Sequence, residues 1–285
     1  MRARIIIVAV ATFAIALGGL ATVGSSAAPA TGHIYLALGD SLAASYQPND
    51  DLRNGYAEQL FQLEQTRVAN LRLHKLGCPG ERTSTIDTER LCSYEEGSQL
   101  DQAVAELEAG DVAFVTLQLG ANDLMRCFDF DAGAFDHPCV DALLPKMSER
   151  LASIVQTLRA ADPDVPIVGA NYYDPLLALW TAPGFPPELV RDTNDTWTAA
   201  NDAIETTYEA AGIPVADLEG AFSTADFDTT VHARGWGDLP LNVARVCEWT
   251  YMCPETYGHD IHPTTVGYAI VTRAWETAVE TAFAG

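Results

Sequence analysis

Short apolar runs alternate with helix-period segments along most of this chain, and that alternation leaves few folds open. The runs are residues 33–38, 112–119, 165–170 and 213–218, joined by an alternating strand-like segment over 70–76, and each is closed by glycine or a polar turn. Apolar residues recur at helical spacing over 54–65, 99–109, 140–161, 189–211 and 263–283. Unbroken apolar runs suit strands buried on both faces. Strand and helix in alternation imply a mostly parallel sheet covered on each side. The expected class is therefore α/β, a three-layer α/β/α arrangement with about five strands. Residues 220–258 show no clear period and read as irregular. Pro263 reads as a first-turn residue of the closing helix. No repeat, linker or composition break follows residue 30, so residues 31–285 read as a single domain.

The first thirty residues stand apart. Arg2 and Arg4 precede an apolar run over 5–20, and small residues follow through Ala30. This is the pattern of a secretory signal peptide, cleaved after Ala27 or Ala30. The run is short for a membrane span. The expected location is thus extracellular, and cysteine usage agrees. Beyond residue 30 the chain holds six: Cys78, Cys92, Cys127, Cys139, Cys247 and Cys253. An even count in an exported chain suggests disulfides. Nearness in sequence favours Cys78–Cys92, Cys127–Cys139 and Cys247–Cys253. No C-x-x-C pair or H-x-x-x-H cluster supports zinc. Asp129, Asp131, Asp136 and His137 fit no calcium-loop spacing, so residues 127–139 read as a solvated, disulfide-closed loop. No metal and no cofactor are expected. A net charge of −23 repels nucleic acid and anionic membranes. Nothing points to an obligatory protein partner.

In open parallel sheets, ligands bind beyond the carboxyl ends of the strands. The first run ends in Gly39-Asp40-Ser41, the second in Gly77-Cys78-Pro79-Gly80, the third in Gly120-Ala121-Asn122-Asp123. The closing helix follows Gly258-His259-Asp260-Ile261-His262. These residue types match acyl transfer. A serine hydroxyl needs a base to take its proton. His262 can be that base, with a carboxylate fixing its tautomer. A glycine turn and a short amide can donate to a developing oxyanion.

"GDSLAASY", "CPGERT", "LGANDL" and "DIHPTTVGY" resemble, in order, the four sequence blocks of the SGNH, or GDSL-type, hydrolases. The resemblance spans nearly the whole chain after residue 30. It implies a flavodoxin-like fold, a serine nucleophile and hydrolysis of carboxylic esters, with a small ester or a lipid as substrate. Carried over, Ser41 is the nucleophile and His262 the general base. The oxyanion hole would be the N–H of Ser41, the N–H of Gly80, with Gly77 as the alternative, and the amide of Asn122. Asp40 and Asp123 read as turn-bracing carboxylates.

One departure is visible. The family's last block places its acid three residues before the histidine, where this chain has His259. Asp260 stands two before. In an extended segment residues i and i−2 share a face, so Asp260 can still meet the ring. Otherwise a backbone carbonyl orients His262 and leaves a dyad. His259 reads as a surface or rim residue. "NYYDPLLALWTAPGFPPELV" either lines an acyl pocket or packs as an excursion. Trp236, Trp249 and Tyr251 either border the pocket or pack around Cys247–Cys253. An α/β-hydrolase would want G-x-S-x-G in mid-chain, and Ser41 lies in G-D-S-L-A. The leading expectation is a secreted esterase or lipase. Its rivals are a carbohydrate O-acetyl esterase and a non-catalytic extracellular lipid- or glycan-binding module.

Overall fold

The structure is a computed structural model describing residues 32–49 and 51–284, so the expected leader over 1–30 lies outside the described residues. Five strands form one parallel sheet: β1 (Ile34–Gly39), β2 (Arg72–Lys75), β3 (Val112–Gln118), β4 (Ile167–Ala170) and β5 (Val215–Ala216), in spatial order 2-1-3-4-5. β3 is buried at all seven positions, which explains its largely apolar run. β2, at the edge, alternates exposed and half-buried positions.

Helices cover both faces. They are α1 (Tyr56–Glu64), α2 (Gln99–Glu108), α3 (His137–Ala161), α4 (Pro187–Ala210), α5 (Leu241–Trp249) and α6 (Thr265–Ala284). α1 packs on α6, with Tyr56 stacked on Trp275 at 5.0 Å between centroids. On the other face α3 packs between α2 and α4. α4 is fitted tightly to the sheet. A Cβ on Gly169 would lie 2.5 Å from the Tyr208 ring, whose hydroxyl donates to the Leu117 carbonyl at 2.9 Å. The architecture is the expected three-layer α/β/α fold.

Three details differ from the sequence reading. Residues 220–258 are not irregular. They hold a hairpin (Thr230–Ala233 with Gly237–Pro240), helix α5, and a short strand, Thr250–Tyr251, paired antiparallel with Asp260–Pro263. Strands of two to four residues carry no readable period, but α5 is as long as α1 and its buried Val243, Ala244, Val246 and Cys247 do stand at helical spacing. Pro263 ends that last strand rather than starting α6. The helix is capped instead by Thr264, whose Oγ1 accepts the Gly267 N–H at 3.1 Å. Finally, β5 has only two residues. Asp217 stops it by accepting the Gly220 N–H at 2.7 Å, which opens a one-turn helix at Leu218–Phe222.

The cysteines stand in the three near-neighbour disulfides, with Cα–Cα distances of 6.1 Å (Cys78–Cys92), 5.6 Å (Cys127–Cys139) and 4.9 Å (Cys247–Cys253). No helix among the described residues is long and apolar enough to cross a membrane.

Candidate active site

β1 delivers Ser41. Gly39 has φ +134°, and a Cβ there would lie 2.2 Å from the Gln118 carbonyl oxygen of the neighbouring strand, so only glycine fits. The side chain of Gln99 clamps the same residue. Its Oε1 accepts the Gly39 N–H at 2.7 Å and its Nε2 donates to the Gly39 carbonyl at 3.0 Å. Asp40 closes the turn by accepting the Leu42 N–H at 2.9 Å. Its other oxygen accepts the Tyr172 hydroxyl at 2.8 Å. Burial pushes the Asp40 carboxyl up to about 6, against the pull of those two hydrogen bonds.

His262 comes from the opposite end of the chain, on the Asp260–Pro263 strand. Ser41 Oγ lies 2.7 Å from His262 Nε2, and His262 Nδ1 lies 2.7 Å from Asp260 Oδ1. A carboxylate only accepts, so Nδ1 carries the proton and Nε2 is free to accept from the serine. Asp260 Oδ1 also accepts the His262 backbone N–H at 2.9 Å. Extended backbone therefore lets the acid reach the ring from two places away. Burial would raise the Asp260 carboxyl, but the hydrogen bonds and charge of His262 outweigh it and hold it below its usual value. His259 points elsewhere. It is exposed, has φ +61°, and its Nδ1 donates to the Met252 carbonyl at 2.7 Å.

The two glycines of the second block differ. Gly77 packs on the serine turn, where a Cβ would lie 2.3 Å from the Ala44 nitrogen. Gly80 has φ +83°, and a Cβ there would meet only Leu91, at an ordinary contact distance of 4.0 Å. The Cys78 N–H donates to the Gly39 carbonyl at 2.9 Å, joining this loop to the end of β1. Asn122 Nδ2 donates to the Glu81 carbonyl at 3.1 Å, which leaves its second N–H available. Asp123 fixes the same loop, accepting from the Thr83 N–H and hydroxyl at 2.8 Å each. Among the described residues, the N–H groups of Ser41 and Gly80 donate to no protein acceptor.

Ser41, Asn122 and His262 open on a small apolar cleft walled by Leu42, Met125, Tyr173, Pro175 and Trp197, with a cavity volume of about 30 Å³. The stretch after β4 thus does both things expected of it. Tyr172, Tyr173 and Pro175 line the cleft, while Leu176 and Leu177 are buried beyond it. Trp236, Trp249 and Tyr251 do not line the cleft. Trp249 packs edge-on to Phe222 under Arg245. In the 127–139 loop Asp129 caps the N–H groups of Asp131 and Ala132, and His137 pairs with Asp192. Among the described residues no His, Cys, Asp and Glu side chains gather to hold a metal. Sequence reasoning misses Met125 and Trp197; the one signal for Met125 is its position just past the carboxyl end of β3.

The fold has solved relatives. A catalytic mutant of an acetylxylan esterase from Geobacillus stearothermophilus superposes with TM-score 0.52 at 17% identity, over 87% of this chain and 94% of that one. Phospholipase A1 from Streptomyces albidoflavus NA297 gives TM-score 0.51 at 17% identity, over 88% and 99%. At such identities the likeness is one of fold. No curated protein matches the chain by sequence. The model of the GDSL-like lipase/acylhydrolase family matches residues 37–270, from the middle of β1 into α6. On that match, with all four blocks inside it, the chain belongs to the GDSL-like lipase/acylhydrolase family and is an ester hydrolase.

Proposed function

We propose that the protein is a secreted carboxylic-ester hydrolase that works through an acyl-enzyme on Ser41. The observation that carries this reading is the unbroken relay of 2.7 Å contacts from Ser41 Oγ through His262 to Asp260. His262 Nε2 takes the hydroxyl proton as Ser41 Oγ attacks the ester carbonyl. The N–H groups of Ser41 and Gly80 and the Asn122 amide stabilise the oxyanion. The imidazolium, held by Asp260, returns the proton to the leaving alcohol. Water, activated by the same imidazole, then releases the acid and frees the serine. In this reading residues 31–285 are one hydrolase domain behind an export leader. Three disulfides support an oxidising destination.

For the substrate, the cleft beside Ser41 is small, about 30 Å³, and walled by apolar side chains, which favours a short acyl chain. That same observation favours a second reading, a carbohydrate O-acetyl esterase. Fold does not choose between them, because an acetylxylan esterase and a phospholipase A1 share it. Initial rates on p-nitrophenyl esters of rising chain length, on acetylated xylan and on phospholipid vesicles test the proposal. The expected result is turnover highest on acetate to butyrate and reduced at least about 10³-fold in Ser41→Ala. No ester turned over above the Ser41→Ala control would leave the binding-module reading instead.

A further inference from the structure

Tyr172 and Tyr173 follow β4 after Asn171, and both are buried, at 3% and 4% exposure. Adjacent side chains in an extended segment point opposite ways. Tyr172 donates its hydroxyl to Asp40 Oδ2 at 2.8 Å, and Tyr173 donates to the Ile261 carbonyl at 2.7 Å. These acceptors lie 132 and 88 residues away in sequence. They also belong to different halves of the site. Asp40 closes the turn that carries Ser41, and Ile261 lies between Asp260 and His262.

The Tyr173 contact has a specific consequence. The carbonyl of Ile261 and the N–H of His262 are two ends of one planar peptide group. The N–H end donates to Asp260 Oδ1 at 2.9 Å, and the same oxygen takes the ring Nδ1–H at 2.7 Å. With the acid only two residues before the histidine, one carboxylate oxygen serves both backbone and ring. Rotation of that peptide would loosen both contacts together. Tyr173 fixes its other end.

The donors themselves are held rigidly. The Tyr173 ring stacks on Phe222 at 4.4 Å between centroids. The backbone of Tyr172 is clamped on both sides by Asn201 of α4, at 3.0 Å to its N–H and 2.7 Å to its carbonyl.

We infer that Tyr172 and Tyr173 are positioning residues that align the two halves of the Ser41–His262 pair from the end of a single strand. This rests on the proposed roles of Ser41 and His262. Tyr173 acts through the acid–base half, and Tyr172 through the nucleophile's turn.

The test is p-nitrophenyl acetate hydrolysis by Tyr172→Phe and Tyr173→Phe, alone and each combined with Asp260→Asn. Phenylalanine keeps the ring and its packing, and melting temperature reads whether the fold survives. Each single variant is expected to lose about tenfold in kcat at nearly constant KM. With Asp260→Asn present, the Tyr173→Phe loss should shrink to about twofold, because the contact it aims is already gone. The Tyr172→Phe loss should stay near tenfold in that background. The downfield proton signal of His262 Nδ1–H supplies a readout independent of rate, and should weaken in Tyr173→Phe alone. Wild-type kcat in either tyrosine variant overturns that residue's role. So does a Tyr173→Phe loss that multiplies fully with Asp260→Asn, since a purely structural defect would do that. An inactive wild type would instead refute the proposed function and is told apart by that control.

Discussion

The two halves of the candidate site are built by opposite electrostatic means. Around the serine turn, and beyond the end of β4, carboxylates are buried and used as acceptors. Asp40 closes the serine turn, Asp123 holds the glycine loop, and Asp174 caps the Leu176 N–H at 2.8 Å just past the twin tyrosines. Burial raises all three, Asp40 to about 6 and Asp174 to about 7. On the base side Asp260 is half-buried and held low, because His262 outweighs its desolvation. The first group supplies shape, and its charge opposes folding. In the proposed mechanism Asp260 keeps a charge ready for the imidazolium. A carboxylate's role in this site thus follows from what faces it, more than from its distance to Ser41.

Removing the one useful charge should have the largest effect. Asp260→Asn keeps the shape but leaves His262 without an anionic partner and free to take the wrong tautomer. The expected loss is about 10²–10⁴-fold in kcat, with KM little changed. His259→Ala, which loses only a bond to the Met252 carbonyl, should stay within about twofold. Steady-state kinetics on both variants decides it. Near-normal turnover by Asp260→Asn would reduce the machinery to a Ser41–His262 dyad and erase the contrast between the two halves.

The buried carboxylates should show themselves in stability. Asp174 has its ordinary value of 3.8 in the unfolded chain and about 7 when folded. Between those values the native state keeps a proton that the unfolded chain has lost. Stability is therefore highest near or below pH 4 for this group and falls as pH rises towards 7. Three pH units correspond to about 4 kcal/mol as a ceiling. Asp40 adds the same sign between 3.8 and about 6. Asp260 has the opposite sign, but its contribution is lost only as pH falls below 3.8. Melting temperature should thus rise on acidification from pH 8 to pH 5, and rise less in Asp174→Asn. Equal slopes in the two proteins would mean that Asp174 bears its charge without penalty.

The same contrast explains what could be read from the sequence. The nucleophile side was legible because each strand end is forced to glycine or a short polar residue. Gly39 and Gly77 leave no room for a Cβ, and Asp40, Asn122 and Asp123 are turn residues with fixed partners. The base side was legible in its residues but not in its support. Strands of two and four residues have no period, so the Thr250–Tyr251 ladder is hidden in the sequence and Pro263 reads as part of the helix. Tyr172, Tyr173 and Trp197 meet the site only because sheet order sets β4 beside β3 and α4 over it. Local sequence does not carry that information.

The smallest expected effect concerns the disulfides. Cys247–Cys253 ties α5 to the loop that returns as the His262 strand. Cys127–Cys139 closes a loop of Phe128 and Phe135 at the start of α3. Chain entropy alone assigns about 2 kcal/mol to the shorter link and about 3 kcal/mol to the longer, from separations of 6 and 12 residues. Stability should therefore suffer slightly more from the paired Cys127→Ser and Cys139→Ser change. Catalysis should follow the reverse order. The base side stands on a short rim ladder, so loss of Cys247–Cys253 lets Asp260 and His262 drift together. The cost there should be several-fold in kcat, up to about tenfold. The nucleophile side, seated on β1, should barely notice the other deletion. Melting curves and kcat measured on the two double variants separate the two quantities. Activity that merely tracks melting temperature in both would show that the rim ladder is as firmly held as the central sheet, and that the two halves differ in charge alone.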